Sequence, residues 1–151
     1  MIKNIGTKEF PYPFSQSIIS AASFEGIFLD NSYLKFEGDI INYRQFIRIS
    51  ARSSELVISQ VSRSGTIGRP WWNIEDLWGS KLVLPSSSGT VHGHWYASDV
   101  TISSLVGMVE LESSKIRNCR CNIIISNGGD SDYTGCTGRI INENGINLLG
   151  T

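Results

Sequence analysis

From Gly26 onward, apolar and polar residues alternate over short stretches, and each stretch ends at a small polar turn. Alternation with a period of two predicts half-buried β-strands, because successive side chains on a strand point to opposite faces. One phrase recurs: a short apolar strand, a Ser/Asn/Asp turn, and a second short strand. Its instances are "GIFLDNSYLKFEG", "FIRISARSSELVIS", "WWNIEDLWGSKLVLP", "HWYASDVTISS", "GMVELESSKIRNC" and "GRIINENGINLLG". The second strands begin their apolar positions at Leu34, Leu56, Leu82, Val100, Ile116 and Ile146, with gaps of 22, 26, 18, 16 and 30 residues. The longest gap holds "SNGGDSDYTGCTG" (126–138), which reads as a polar, glycine-rich loop. Before residue 26 the pattern is weak. "FPYPF" carries Pro11 and Pro13, which interrupt ladder pairing, and "SQSIISAASF" is the one candidate helical turn.

Recurrence on this scale is the mark of a repeat architecture, in which each unit buries its apolar face only against its neighbours. The predicted fold is all-β, a parallel β-helix or β-solenoid. The alternative is a β-sandwich or jelly roll, whose short strands and frequent turns produce a similar rhythm. The predicted organisation is an irregular lead-in over 1–25 and one β-rich domain over 26–151. Composition sharpens the strand-and-turn reading. The chain has 22 Ser and 20 Ile but only four Ala. Ile suits strands, Ser competes for backbone hydrogen bonds at turns, and the best helix former is scarce.

The 151 residues carry 13 basic and 14 acidic side chains, a net charge of −1, with no Lys/Arg cluster. Nucleic-acid binding and membrane-surface binding both lack their electrostatic basis. No apolar run is long enough for a membrane-spanning helix, and "MIKNIGTKEFPYPF" lacks the apolar core of a secretory signal peptide. Cys119, Cys121 and Cys136 are odd in number and lack the spacing of zinc or redox pairs, so buried structural thiols are expected.

Candidate chemistry concentrates between Trp71 and Tyr96, which holds all four tryptophans and both histidines. Trp71 and Trp72 are strand neighbours, as are Trp95 and Tyr96, so one ring of each pair must face away from the core. With Trp78, these rings are candidates to stack on the C–H face of a sugar. Large core aromatics are the plainer reading. His92 and His94 share a face of an extended segment and are candidate binding residues; no third ligand completes a metal site nearby, and no metal or cofactor is expected. Among Glu75, Asp76, Asp99, Glu110 and Glu112, Asp76 and Asp99 both precede second strands and form the candidate carboxylate pair for glycoside cleavage. A lyase would draw on His94, Arg69 and Lys81. Asn127, Asp130 and Asp132 form an oxygen cluster without the glutamate that closes a calcium loop.

The repeated phrase, the Ser/Asn turns and the closing "GRIINENGINLLGT" resemble the β-helical parts of bacteriophage tailspikes. The resemblance covers residues 26–150 and rests on rhythm and composition. It implies a homotrimeric, rigid spike component in the phage virion that binds bacterial surface polysaccharide. A polysaccharide depolymerase and a purely structural trimerisation module are the alternatives.

Overall fold

The structure, a computed structural model, describes residues 2–14, 18–20, 26–36, 40–42, 46–58 and 71–150. Within them the chain is all-β and without helix. The strands are β1 (Ile2–Lys3), β2 (Tyr12–Phe14), β3 (Ile18–Ser20), β4 (Gly26–Asp30), β5 (Tyr33–Phe36), β6 (Ile40–Asn42), β7 (Phe46–Arg52) and β8 (Glu55–Ile58). They continue as β9 (Trp71–Trp78), β10 (Lys81–Val91), β11 (His94–Tyr96), β12 (Asp99–Glu112), β13 (Lys115–Arg117), β14 (Arg120–Ser126) and β15 (Thr137–Ile141). Thirteen of them form one large sheet, and β3 with β6 forms a second. Every pairing between these strands is parallel, whereas a sandwich is built from antiparallel ones.

Each passage of the chain lies in register on the one before it. Leu34, Leu56, Leu82, Val100 and Ile116 are successive partners, so the apolar rhythm of the sequence is the register of the sheet. A second inward column runs Ile27, Ile49, Ile74, Val91, Gly107, Ile123 and Ile140. The side chains of both columns are buried, apart from the bare glycine position. Gly107 is required where it stands: at φ +123° a Cβ would lie 2.5 Å from the Val91 carbonyl oxygen.

The turn between the paired columns is a recurring corner. A residue in the left-handed region comes first: Asn31 (φ 48°), Ser53 (48°), Gly79 (55°), Ala97 (48°) or Ser113 (49°). A buried serine follows, at 32, 54, 80, 98 and 114. Each serine hydroxyl donates to the carbonyl two residues back, as Ser98 does to Tyr96 at 2.9 Å. It also accepts the amide of the serine one passage earlier. The Ser32 amide reaches Ser54 Oγ at 3.0 Å, Ser54 reaches Ser80 at 3.1 Å, Ser80 reaches Ser98 at 3.2 Å, and Ser98 reaches Ser114 at 3.2 Å. The Ser114 amide continues the ladder to Ser131 Oγ at 3.2 Å.

That last rung corrects the reading of 126–138 as an inserted loop. The segment is a further passage: the Asp132 amide bonds Ser114 O, and the Ile116 amide bonds Asp132 O. Ile146 therefore stands outside the column that ends at Ile116, and its side chain is 57% exposed. The C-terminal stretch folds back over β15 instead. The Leu148 amide bonds Ile140 O at 2.8 Å, and Asn147 Oδ1 accepts the Ile140 amide at 3.0 Å and the Leu149 amide at 3.1 Å. At the other end the lead-in is partly ordered into strands. β2 pairs only with β5, an edge position that tolerates Pro13. Ile18–Ser20 is strand, paired with β6, where a helical turn was expected; two adjacent β-branched isoleucines favour the extended form. Pro11 is described, while residues 15–17 and 21–24 of that turn lie outside the described residues.

Replacing Ser98 by alanine removes the acceptor of the Ser80 amide and the donor to Tyr96 O, both buried in the ladder. The expected loss is about 1–3 kcal/mol of unfolding free energy, seen as a lower urea midpoint with an unchanged slope. Unchanged stability would show that the ladder hydroxyls are dispensable.

Candidate functional site

The residue before each left-handed corner points outward, and in-register stacking makes these residues a surface column. It runs Lys3, Asp30, Arg52, Trp78, Tyr96, Glu112. Trp78 and Tyr96 are 47% and 40% exposed, and their ring centroids are 4.9 Å apart at 39°. His94 meets the Trp78 ring edge-on, with centroids 5.5 Å apart. A ring on one strand and a ring on the next thus form one continuous aromatic platform, held by strands about 4.8 Å apart.

Glu112 closes the platform on one side. His94 Nε2 lies 2.8 Å from Glu112 Oε2, and Asn127 Nδ2 donates to Oε1 at 2.8 Å. The Asn127 amide is itself bonded to Glu143 at 2.9 Å. Beyond Glu112, the Ser113 amide and hydroxyl both donate to Asp130, which holds that carboxyl below the usual carboxylate range. Tyr96, Glu112, Ser113, Asn127, Gly129 and Asp130 line a shallow depression of about 350 Å³ beside the rings.

The residues singled out from sequence separate into three places. Trp78, Tyr96 and His94 come together on this surface. Trp72 and Trp95 fill the interior instead, fully buried, so strand alternation turns Tyr96 outward and Trp95 inward. Trp95 Nε1 donates to Glu75 O at 2.7 Å. The side chain of Trp71 lies outside the described residues, as does Arg69. His92 stands apart from His94, since Gly93 (φ 81°) breaks the strand between them. His92 faces Glu75 at 3.7 Å, while His94 faces Glu112.

Asp76 and Asp99 are not brought together as the carboxylate pair. Asp99 follows its corner and is the register partner of Lys81 and Lys115. Its carboxylate takes Arg117 Nε at 2.9 and 3.1 Å. Asp76 lies before its corner and accepts the His94 amide at 2.9 Å. The two aspartates occupy different columns, so the sequence-based equivalence fails on register. Among the described residues, no group of three or more His, Cys, Asp or Glu is arranged to hold a metal ion. Cys119 and Cys121 are core residues. The Cys121 thiol is pushed up to about 12, chiefly by its bond to Cys119 with burial adding.

Sequence reasoning missed Ser113, and it grouped Asn127 and Asp130 with Asp132 as an oxygen cluster, whereas Asn127 bonds Glu112, Asp130 bonds Ser113 and Asp132 accepts the Thr134 hydroxyl. The signal was present in the dipeptides Asn31-Ser32, Ser53-Ser54, Gly79-Ser80, Ala97-Ser98 and Ser113-Ser114, which mark the same corner on successive passages, and in Asp130-Ser131, whose serine takes the next rung. Aligning the chain on them stacks Trp78, Tyr96 and Glu112. Comparison with protein-family models, curated proteins and solved structures gives no match to this chain.

A second charged cluster borders the site. Arg48 Nε and Nη2 bond the two Glu75 oxygens at 2.7 and 3.0 Å. That bond holds the Glu75 carboxyl below its ordinary 4.5, against the upward push of burial. A carboxyl depressed in the folded state stabilises the fold above its unfolded pKa, and the contribution fades as pH falls through the depressed value. Glu75→Gln should therefore cost about 0.5 kcal/mol at neutral pH, and wild type and variant should begin to converge once pH falls below the ordinary glutamate value of about 4.3. Urea midpoints at the two pH values test this. A gap that persists in acid would assign the cost to packing.

Proposed function

We propose that this chain is a parallel β-helical module that binds a glycan on the outward column around Trp78 and Tyr96. The in-register stacking of Leu34 through Ile116, with a corner serine on each passage, supports the β-helical winding. The observation that carries the binding reading is the pair of half-exposed rings 4.9 Å apart, flanked by an ordered carboxylate and amide. Flat rings present an apolar face to sugar C–H groups. Glu112, Asn127 and Asp130 offer acceptors and donors to hydroxyls. The rings sit on strands rather than on a loop, so little conformational entropy is lost on binding. The acidic border of Glu112 and Asp130 favours an uncharged sugar over a uronate or sialate.

The resemblance to tailspike β-helices extends this reading to a virion component whose ligand is a bacterial surface polysaccharide. The trimer that the resemblance implies is no requirement here, because one chain supplies the whole platform. A depolymerase would need two free carboxyl groups across a bound sugar, and the Asp76–Asp99 pairing that suggested one is lost. The expected result on an array of bacterial surface glycans is binding to neutral polysaccharide. Trp78→Ala should weaken it by about tenfold or more, the scale of an aromatic anchor, with little change in unfolding temperature. A folded chain that binds no glycan on the array would overturn the proposal. Release of reducing ends from the bound polysaccharide would replace binding with hydrolysis.

A further inference from the structure

The outer face of β12, β14 and β15 carries an unusual order of side chains. Its first level along the strands holds Arg120, and the next holds Arg139 beside Asn122. Val106, 38% exposed, shares the Arg139 level, and the level after it is wholly apolar: Met108 is 64% and Ile124 47% exposed, with Ile141 in register beside Ile124. The last level holds Glu110, in register with Ser126, and Glu143, which bonds the adjacent Asn127 amide. Met108, Glu110, Ile124 and Glu143 line a groove of about 470 Å³ on this face. Among the described residues, Arg120, Arg139 and Glu110 make no ion pair within the chain. One surface therefore runs from basic through apolar to acidic over about 20 Å of strand.

We propose that this face binds a second copy of the same chain across a two-fold axis. The axis would run along the stacking direction, between the Asn122 and Ile124 levels. Such an axis reverses the strand direction, so Arg120 of one copy meets the Glu110 and Glu143 level of the other at both edges, and Arg139 lies over the Ile141 level, one step from Glu143. The exposed apolar side chains meet in the middle. A two-fold interface needs one self-complementary patch, and this charge order is self-complementary only when the strands are reversed. Any other axis in the plane that kept the strand direction would set arginine against arginine. The surface belongs to a single sheet, which suits face-to-face packing about 10 Å apart. A three-fold arrangement would need two flanks that diverge. The footprint is small, so the pairing belongs to the reversible class of interface. It leaves Trp78 and Tyr96 outside the contact and does not depend on glycan binding.

Sedimentation of the full chain from about 1 to about 100 μM tests this, with the monomer mass of 16.7 kDa as reference. The expected species is a dimer that weakens as salt is raised. Arg120→Glu with Arg139→Glu, and separately Glu110→Lys with Glu143→Lys, should each weaken self-association by about tenfold or more. Mixing the two variants should restore a heterodimer. Ile124→Lys should give a monomer with unchanged circular dichroism. A wild-type monomer at all concentrations, a trimer, or variants that fail to pair when mixed would each overturn the proposal.

Discussion

Where these parallel strands turn a corner, the carbonyls on either side keep their partners on the neighbouring passage, but the serine amide at the bend finds no carbonyl there and bonds a serine hydroxyl instead. A buried amide left unpaired costs as much as several ordinary contacts contribute. In this chain the debt is met by one atom per passage, the serine Oγ, which accepts from the passage before and donates to its own backbone. The left-handed residue just ahead of it sets the bend. Everything else in the fold follows from repeating that corner at 32, 54, 80, 98 and 114, with Ser131 supplying the next rung of the ladder. Register cannot slip by one residue without breaking every rung of the serine ladder and turning every core side chain outward.

Fixed register has a second effect on the outside. Residues two positions ahead of each serine are stacked into a column whether or not they interact. Trp78, Tyr96 and Glu112 are separated by 18 and 16 residues in sequence yet are direct neighbours. The surface therefore has the rigidity of the sheet beneath it, and His94 and Asn127 both hold the Glu112 carboxylate. On the adjoining strands the same stacking places Arg120 and Arg139 on successive levels toward one end and Glu110 at the other.

Much of this was legible in the chain. The all-β character followed from period-two alternation and scarce alanine, and the spacing of Leu34, Leu56, Leu82, Val100 and Ile116 was the true register. Ile146 was misplaced because the passage through 126–138 carries Tyr133 beside Ile116, where earlier passages carry aliphatic residues, so hydrophobicity alone could not reveal it. The corner serine before it did. The ring facing inward at Trp95 and outward at Tyr96 was undetermined from alternation, which leaves two phases open until a neighbour such as Leu77 fixes one. Asp76 and Asp99 were equated by their distance from a strand, but a strand break at Gly93 and the corner at Ser98 put them in different columns. Contacts of Glu112 with Asn127, and of Ser113 with Asp130, cross between passages and have no signature within either segment.

The fold-back after β15 bears on more than its own residues. A parallel sheet offers its last strand as a template, and any chain of similar rhythm can add to it. Here the side chain of Asn147 occupies the hydrogen-bonding position that the next strand would take on Ile140, and Leu148 covers the carbonyl beside it. The stack is thus a polymerisation that terminates itself. A protein made of stacked parallel passages is closed at this end by one side-chain amide and one backbone amide, much as a capped chain end stops a synthetic polymer.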